Sequence, residues 1–484
     1  MNNLQQPRGI LASIPPTTLV ARRLELSSPG TAGLHYLAER IKLLLSSSLY
    51  ITVLLWAYAT VISPNFAYDG FTCRWPDAAV SIWIIVLALL PCFFLPFGLS
   101  RPSALVVWWL YLVVYVPSQL IPPLTVNLSS ERFFTLQISL LICMTLLCWA
   151  AFARHLDIGR FTLAGDLFWP GFWLIWTMCV GYIAYSGGEI KLVSNFVSFF
   201  KGVSEYTFRR EYGRVVGETG RALAYVTGQM GHALDPFLIA YGLLFRRRWC
   251  LLAGILGQLL IFGLTGFKII LLSSLFLALI AALANDYRKS FGVALTFALA
   301  CCILLCTVVD HATHNIYMSS LFTRRTLVVP GLMTGIYFEH YSQVGPVGLG
   351  FHFSHDPSVL TPANEIGAVY YHNAETNANA NLWAEGFAEL GLLGMFAFTL
   401  FTAALIWLYD SLAAKRDVVL AVMLAAMPAV VVSNTSPTTV LLSWGGLAAG
   451  ILLYLSPQPE PAPALNLETE QGEDGPVPAV GIVI

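Results

Sequence analysis

Apolar runs of about twenty residues recur along the chain, separated by short polar links. They fall at 43–62, 79–99, 103–121, 133–152, 167–187, 222–245, 249–265, 268–285, 291–309, 386–409, 418–433 and 440–456. A helix rises about 1.5 Å per residue, so each run approaches the ~20 residues that cross a bilayer. The pattern predicts twelve transmembrane helices, the shortest break being "LTGFK" at 264–268. Two long polar stretches, 187–221 and 310–385, interrupt it and read as large loops. Residues 1–42 read as a cytoplasmic tail, 43–456 as the membrane domain, and 457–484, acidic and Pro-rich without a basic residue, as a disordered cytoplasmic tail.

Composition narrows the class. Hydrophobic residues make up 57% of the 484 and charged residues only 11%, where a soluble chain carries about 25% charged residues. An all-α polytopic bundle is expected, and a nucleic-acid partner is not. Of nine cysteines only Cys73 lies outside a predicted span or the cytoplasmic face, and no CxxC metal spacing occurs.

Charge then gives the bundle a direction. With both termini cytoplasmic, the inner face collects fifteen of the 26 basic residues, and eight of the remaining eleven lie in the two polar stretches. Outside those stretches the balance is fifteen to three, as the positive-inside bias requires. The two exceptions are therefore where chemistry is expected, on the outer face.

The first basic stretch carries Lys191, Lys201, Arg209, Arg210, Arg214 and Arg221, and the second carries Arg324 and Arg325. Guanidinium groups present planar donor forks that match phosphate oxygens, so arginines from separate loops suit a diphosphate; contact with lipid headgroups is the alternative. Lys268 in "LTGFKII" offers a third basic contact or a snorkelling lysine. Six of the nine histidines lie in 310–385: His311, His314, His340, His352, His355 and His372. Glu339 beside His340, and His372 three residues before Glu375, are candidates for acid–base chemistry. His311 and His314 have helical i, i+3 spacing for a metal, but no third ligand is placed. Asn373, Asn377, Asn381, Glu385 and Glu389 recur every four residues as the stretch enters the tenth span. Amides and carboxylates suit sugar hydroxyls; helix capping is the other reading.

Three segments resemble the oligosaccharide repeat-unit polymerases of bacterial surface polysaccharide synthesis (the Wzy type). They are "RRTLVVPGLMTGIYFEHYS", "NANLWAEGFAELGLLG" and "LTGFKIILL", in order within roughly 205–400, and the long loop also resembles O-antigen ligases. The resemblance implies a GT-C-like, inverting, metal- and cofactor-independent glycosyltransferase of the bacterial inner membrane. Its donor and acceptor would be oligosaccharides on undecaprenyl diphosphate, delivered by a flippase, with a chain-length regulator as a further partner. It matches the family's arginines to Arg210 or Arg214 and to Arg324 or Arg325, with Arg209 and Lys268 as further candidates for the diphosphate. Asn377, Asn381 and Glu385, by their own chemistry, are the candidates for sugar, and Glu339, His340 and His372 for the base. A transporter of lipid-linked glycan is the rival class; such proteins place charge inside their spans, whereas here only Asp235 lies well inside a run.

Overall fold

The computed structural model describes residues 29–159, 161–186, 212–217, 222–353 and 359–457. Among them the regular elements are all helical, and helix occupies at least part of every one of the twelve apolar runs. Eight helices are long and apolar enough to cross a membrane: Tyr36–Asp69, Pro102–Thr125, Ser130–Ala150, Gly165–Ser186, Arg248–Thr265, Lys268–Asp286, Arg288–Thr313 and Leu382–Ala413. Ala78–Phe93, Val418–Val432 and Gly446–Leu455 are apolar but shorter. The run at 222–245 is helical through Leu244, with a π-turn at Met230–Leu234. The chain is a helical bundle with the make-up of a multi-pass membrane protein.

Helix starts follow local chemistry. Asp77, Thr361, Asn381, Asp417 and Ser436 each accept a backbone N–H of the first turn they precede, satisfying donors that a helix leaves without partners. The link at 264–268 breaks as expected. Gly266 adopts φ +65°, the left-handed position that ends a helix with least strain in glycine, and a new helix starts at Lys268.

Pro102–Thr125 is the axis of the bundle, wholly buried over its apolar window. Some of its polar groups bond laterally, although Trp109 Nε1 and Gln119 Oε1 are buried without a partner. Gln119 Nε2 donates to the Gln137 carbonyl at 3.1 Å, Gln137 Nε2 returns the bond to Gln119 at 3.3 Å, and Ser118 and Thr334 share a hydroxyl contact of 2.8 Å.

Two expectations are corrected here. The N-terminal tail ends earlier than 42, because the first helix begins at Pro29. Arg40 is buried in it, donating to the Cys92 and Leu95 carbonyls at 2.7 and 2.9 Å with its guanidinium 4.0 Å from the Phe97 ring. The stretch 310–385 is not one surface loop either. It forms a π-helical segment, Ser319–Val328, running into a helix, Val329–Val344, whose residues Pro330–Phe338 are buried. A Cβ on Gly331 would lie 2.4 Å from the Pro117 carbonyl oxygen, and one on Gly335 3.1 Å from Pro122. Those two glycines, one turn apart, let the helix lie against the axial one, as small residues do in membrane packing.

Candidate functional site

The π-segment starts where the preceding helix stops. Asp310, at the end of Phe291–Thr313, accepts the backbone N–H groups of Met318 and Ser319 at 2.8 and 2.6 Å. The chain reverses over His314, whose φ of +51° ends the helix. His311 and His314 therefore do not share a helical face, and a metal pair there is not supported. π-turns widen a helix and leave irregular hydrogen bonding. In this one Ser319 Oγ, Thr323 Oγ1 and Arg324 Nε are buried without a partner. Arg324 donates to Asp69 at 2.8 Å and lies 4.0 Å from the Phe66 ring. Burial, then the adjacent Arg325, push its guanidinium below the ordinary arginine value, and Asp69 opposes them. Lys268 comes to the same place from a different span. Its Nζ lies 4.7 Å from the Tyr317 ring, and Arg325 and Arg324 act on it electrostatically. Three cations from two segments thus share one neighbourhood with Asp69.

One residue from Lys268, Phe267 forms part of the wall of a cavity of about 730 Å³. Tyr212, Tyr225, His232 and Trp444 supply further rings, and Thr227, Thr265, Thr439 and Ser443 supply hydroxyls. Stacking surfaces alternating with hydroxyls are what a sugar ring binds through its apolar faces and its OH groups. Tyr212 belongs to the described part of the first basic stretch. Its ring lies 6.1 Å from that of Phe267, and its hydroxyl is 2.7 Å from Thr227 Oγ1. Arg214, two residues on, is exposed. The first stretch therefore approaches the second through Phe267 and Lys268. Arg209 and Arg210 lie outside the described residues, as do Lys191, Lys201, Arg221 and His355; so does the His352 side chain.

No protein-family model, curated protein or solved structure matches the chain. The site is therefore read from its own geometry.

Glu339 and His340 are not at the cations. Sixteen residues of continuous helix separate Arg324 from His340, about 20 Å along the axis. They also do not pair with each other, since successive helical residues point about 100° apart. Glu339 accepts from the Asn127 N–H at 3.2 Å and from the Tyr370 hydroxyl at 3.4 Å. His340 Nε2 instead meets Glu365 Oε1 at 3.0 Å, and the Tyr341 hydroxyl donates to Glu365 Oε2 at 3.0 Å. Glu365, absent from the sequence-based candidates, is the carboxylate of this cluster. His372 is exposed and ends Pro362–Tyr371 from a left-handed position, φ +53°. Glu339 and His340 thus stand at the other end of the continuous helix 319–344 from the cations.

The four-residue ladder is interrupted as well. The helix begins only at Leu382, so Asn373 and Asn377 precede it on non-helical backbone, and Asn377 is exposed. Asn381 is fully buried and its amide is committed. The oxygen accepts from Trp383 and Ala384 N–H, while Nδ2 donates to the Pro330 carbonyl at 3.1 Å and to Thr334 Oγ1 at 2.7 Å. Its role is capping and bracing, not sugar contact. Glu385 faces the backbone of Ser436, and Ser436 Oγ is 2.8 Å from Thr439 Oγ1. Glu385 thus meets the residue that holds Thr439, a lining residue of the cavity, and does not itself line it.

Proposed function

We propose that the chain is an inverting lipid-linked oligosaccharide polymerase of the bacterial inner membrane, working at the outer leaflet on undecaprenyl-diphosphate-linked repeat units. The observation that carries this reading is the convergence of Lys268, Arg324 and Arg325, from separate segments, beside a cavity lined by rings and hydroxyls. A diphosphate carries more negative charge than one guanidinium neutralises, and the planar forks of Arg324 and Arg325 fit its oxygens in pairs. Asp69 would hold Arg324 oriented before the anion arrives.

This reading carries with it a twelve-span plan, with both ends cytoplasmic and the two basic stretches outside. Arg324 meets Asp69 at one end of the first long helix, and Glu339 meets Asn127 at one end of the third; both ends fall on the outer side in this plan. Charge within the described spans is sparse and the cations gather at one face, which favours a site at the membrane surface over a transport path through the midplane.

In the reaction, a hydroxyl of the incoming repeat unit attacks the anomeric carbon of the growing chain. The bond to the diphosphate oxygen breaks, and its electron pair leaves with undecaprenyl diphosphate. Donors fixed before the charge develops stabilise that leaving group most effectively. Deleting the gene and resolving surface polysaccharide on a gel tests the reading. Loss of long chains with single repeat units still attached to the lipid acceptor is the expected result. Unattached long polymer would assign the chain to the ligases, and an unchanged ladder would remove it from polysaccharide assembly.

A further inference from the structure

Among the described residues, Glu339 and His340 stand at the far end of the helix from Arg324, and Asp69 beside the cations is committed to Arg324. We propose that His232, inside an apolar run and in the wall of the 730 Å³ cavity, accepts the proton of the attacking hydroxyl. The inference rests on the polymerase reading of that cavity.

Three features support it. First, the tautomer is determined by the neighbour. His232 Nδ1 lies 3.0 Å from the Gly228 carbonyl oxygen, one turn earlier in the helix. A carbonyl only accepts, so Nδ1 carries the hydrogen and Nε2 carries the lone pair. Second, the ring is held. It is 2% exposed, and it meets Trp444 edge-on, with centroids 4.9 Å apart and planes at 85°. Third, its position relative to the cations suits inversion. Phe267 shares the cavity wall with His232 and is followed in sequence by Lys268, on which Arg325 and Arg324 act electrostatically. A hydroxyl entering opposite the leaving diphosphate requires its base across the sugar from the arginines. Binding sites of about 300–1,000 Å³ hold ligands of that size.

The step balances without a further reagent. The hydroxyl oxygen forms the new bond to the anomeric carbon and the diphosphate oxygen takes the electron pair of the bond that breaks. The hydroxyl proton goes to Nε2, giving an imidazolium that returns it to water at the cavity mouth. A histidine in an apolar run draws no notice in a sequence scan. It becomes a candidate because the Gly228 carbonyl fixes its hydrogen and the cavity reaches its ring.

His232→Asn separates chemistry from packing. The asparagine amide keeps an N–H for the Gly228 carbonyl but has no lone pair where Nε2 stands. The probe is lipid-diphosphate oligosaccharide extracted from cells lacking the chain, presented to the purified protein in lipid nanodiscs. His232→Asn should bind it as wild type does, which also reports folding, while elongation falls about 100- to 10,000-fold. His232→Ala should regain part of its elongation rate as imidazole is added. A His232→Asn rate close to wild type overturns the inference, and so does a His232→Ala rate indifferent to imidazole. If the wild-type chain binds the probe and never elongates it, the polymerase reading itself falls, and the role of His232 with it.

Discussion

At one end of the stretch 319–344, Arg324 stands on a π-segment with its Nε buried and unpartnered, beside Arg325 and Lys268. At the other end, Glu365 meets His340 and Tyr341 at 3.0 Å each, and Glu339 accepts from the Asn127 backbone and Tyr370 at 3.2 and 3.4 Å. Both ends are rich in polar side chains, and the sequence offers candidates at each, the arginines for an anion and Glu339 with His340 for acid–base chemistry. The difference lies in what is already bonded. A linked cluster braces the fold, because satisfying its buried groups is what keeps them inside. A cluster of like charges gains energy when an anion arrives. Unused hydrogen-bonding capacity beside concentrated positive charge is what sets the first end apart from the second.

The largest effect should come from breaking the first end alone. Arg324→Lys combined with Arg325→Lys keeps both charges and removes both planar forks. The loss of a well-formed charged contact in the transition state costs about 2–4 kcal/mol, a fall of roughly 30- to 1,000-fold in elongation. His340→Gln at the opposite end should leave chain-length distributions near wild type at equal expression. Wild-type ladders from the arginine double, or their loss in His340→Gln, would reverse the assignment of the two ends.

A smaller effect sharpens the contrast between bracing and binding. Asn381→Ala removes four hydrogen bonds from a fully buried position and leaves Thr334 and two backbone N–H groups without that partner. Stability should drop by about 1–3 kcal/mol, read as a lower denaturation midpoint in detergent. Elongation per folded molecule should stay near wild type, and a selective loss of elongation would return Asn381 to the sugar site.

The sequence located helix in every apolar run, including the break before Lys268, because length and periodicity are local properties. It also offered Lys268 as a further basic contact beside Arg324 and Arg325 on the outer side, and these three residues share one neighbourhood. What it missed depends on packing. Pro330–Phe338 is too short for a span and is flanked by polar residues, so it read as loop, although Gly331 and Gly335 were a signal of close helix contact. Glu339 and His340 look paired when adjacency in sequence is taken for adjacency in space. Glu365, His232 and the buried Arg40 have no local pattern that distinguishes them.

The smallest effect is at the braced end. Burial, the nearby Glu339 charge and the hydrogen bond to it push the Tyr370 hydroxyl up from 10.0 to about 12. The folded chain therefore keeps this proton at a pH where the unfolded chain has lost it. The contribution is complete below pH 10 and disappears as pH rises to about 12. An alkaline loss of stability across that window, absent in Tyr370→Phe, would confirm that the network holds; identical profiles would dissolve it.

The helix Leu382–Ala413 departs from helical geometry at Leu390 and Gly391. The portion from Leu392 to Ala413 is 22 residues, roughly 33 Å of helix, which matches the hydrocarbon thickness of about 30 Å by itself. For the machinery that threads the nascent chain into the bilayer, that portion is a complete stop-and-span signal. Leu382–Glu389, with Glu385 and Glu389, need never pass laterally into lipid. It can settle onto the bundle afterwards from the water side, so two carboxylates join the protein interior without first being stranded among acyl chains.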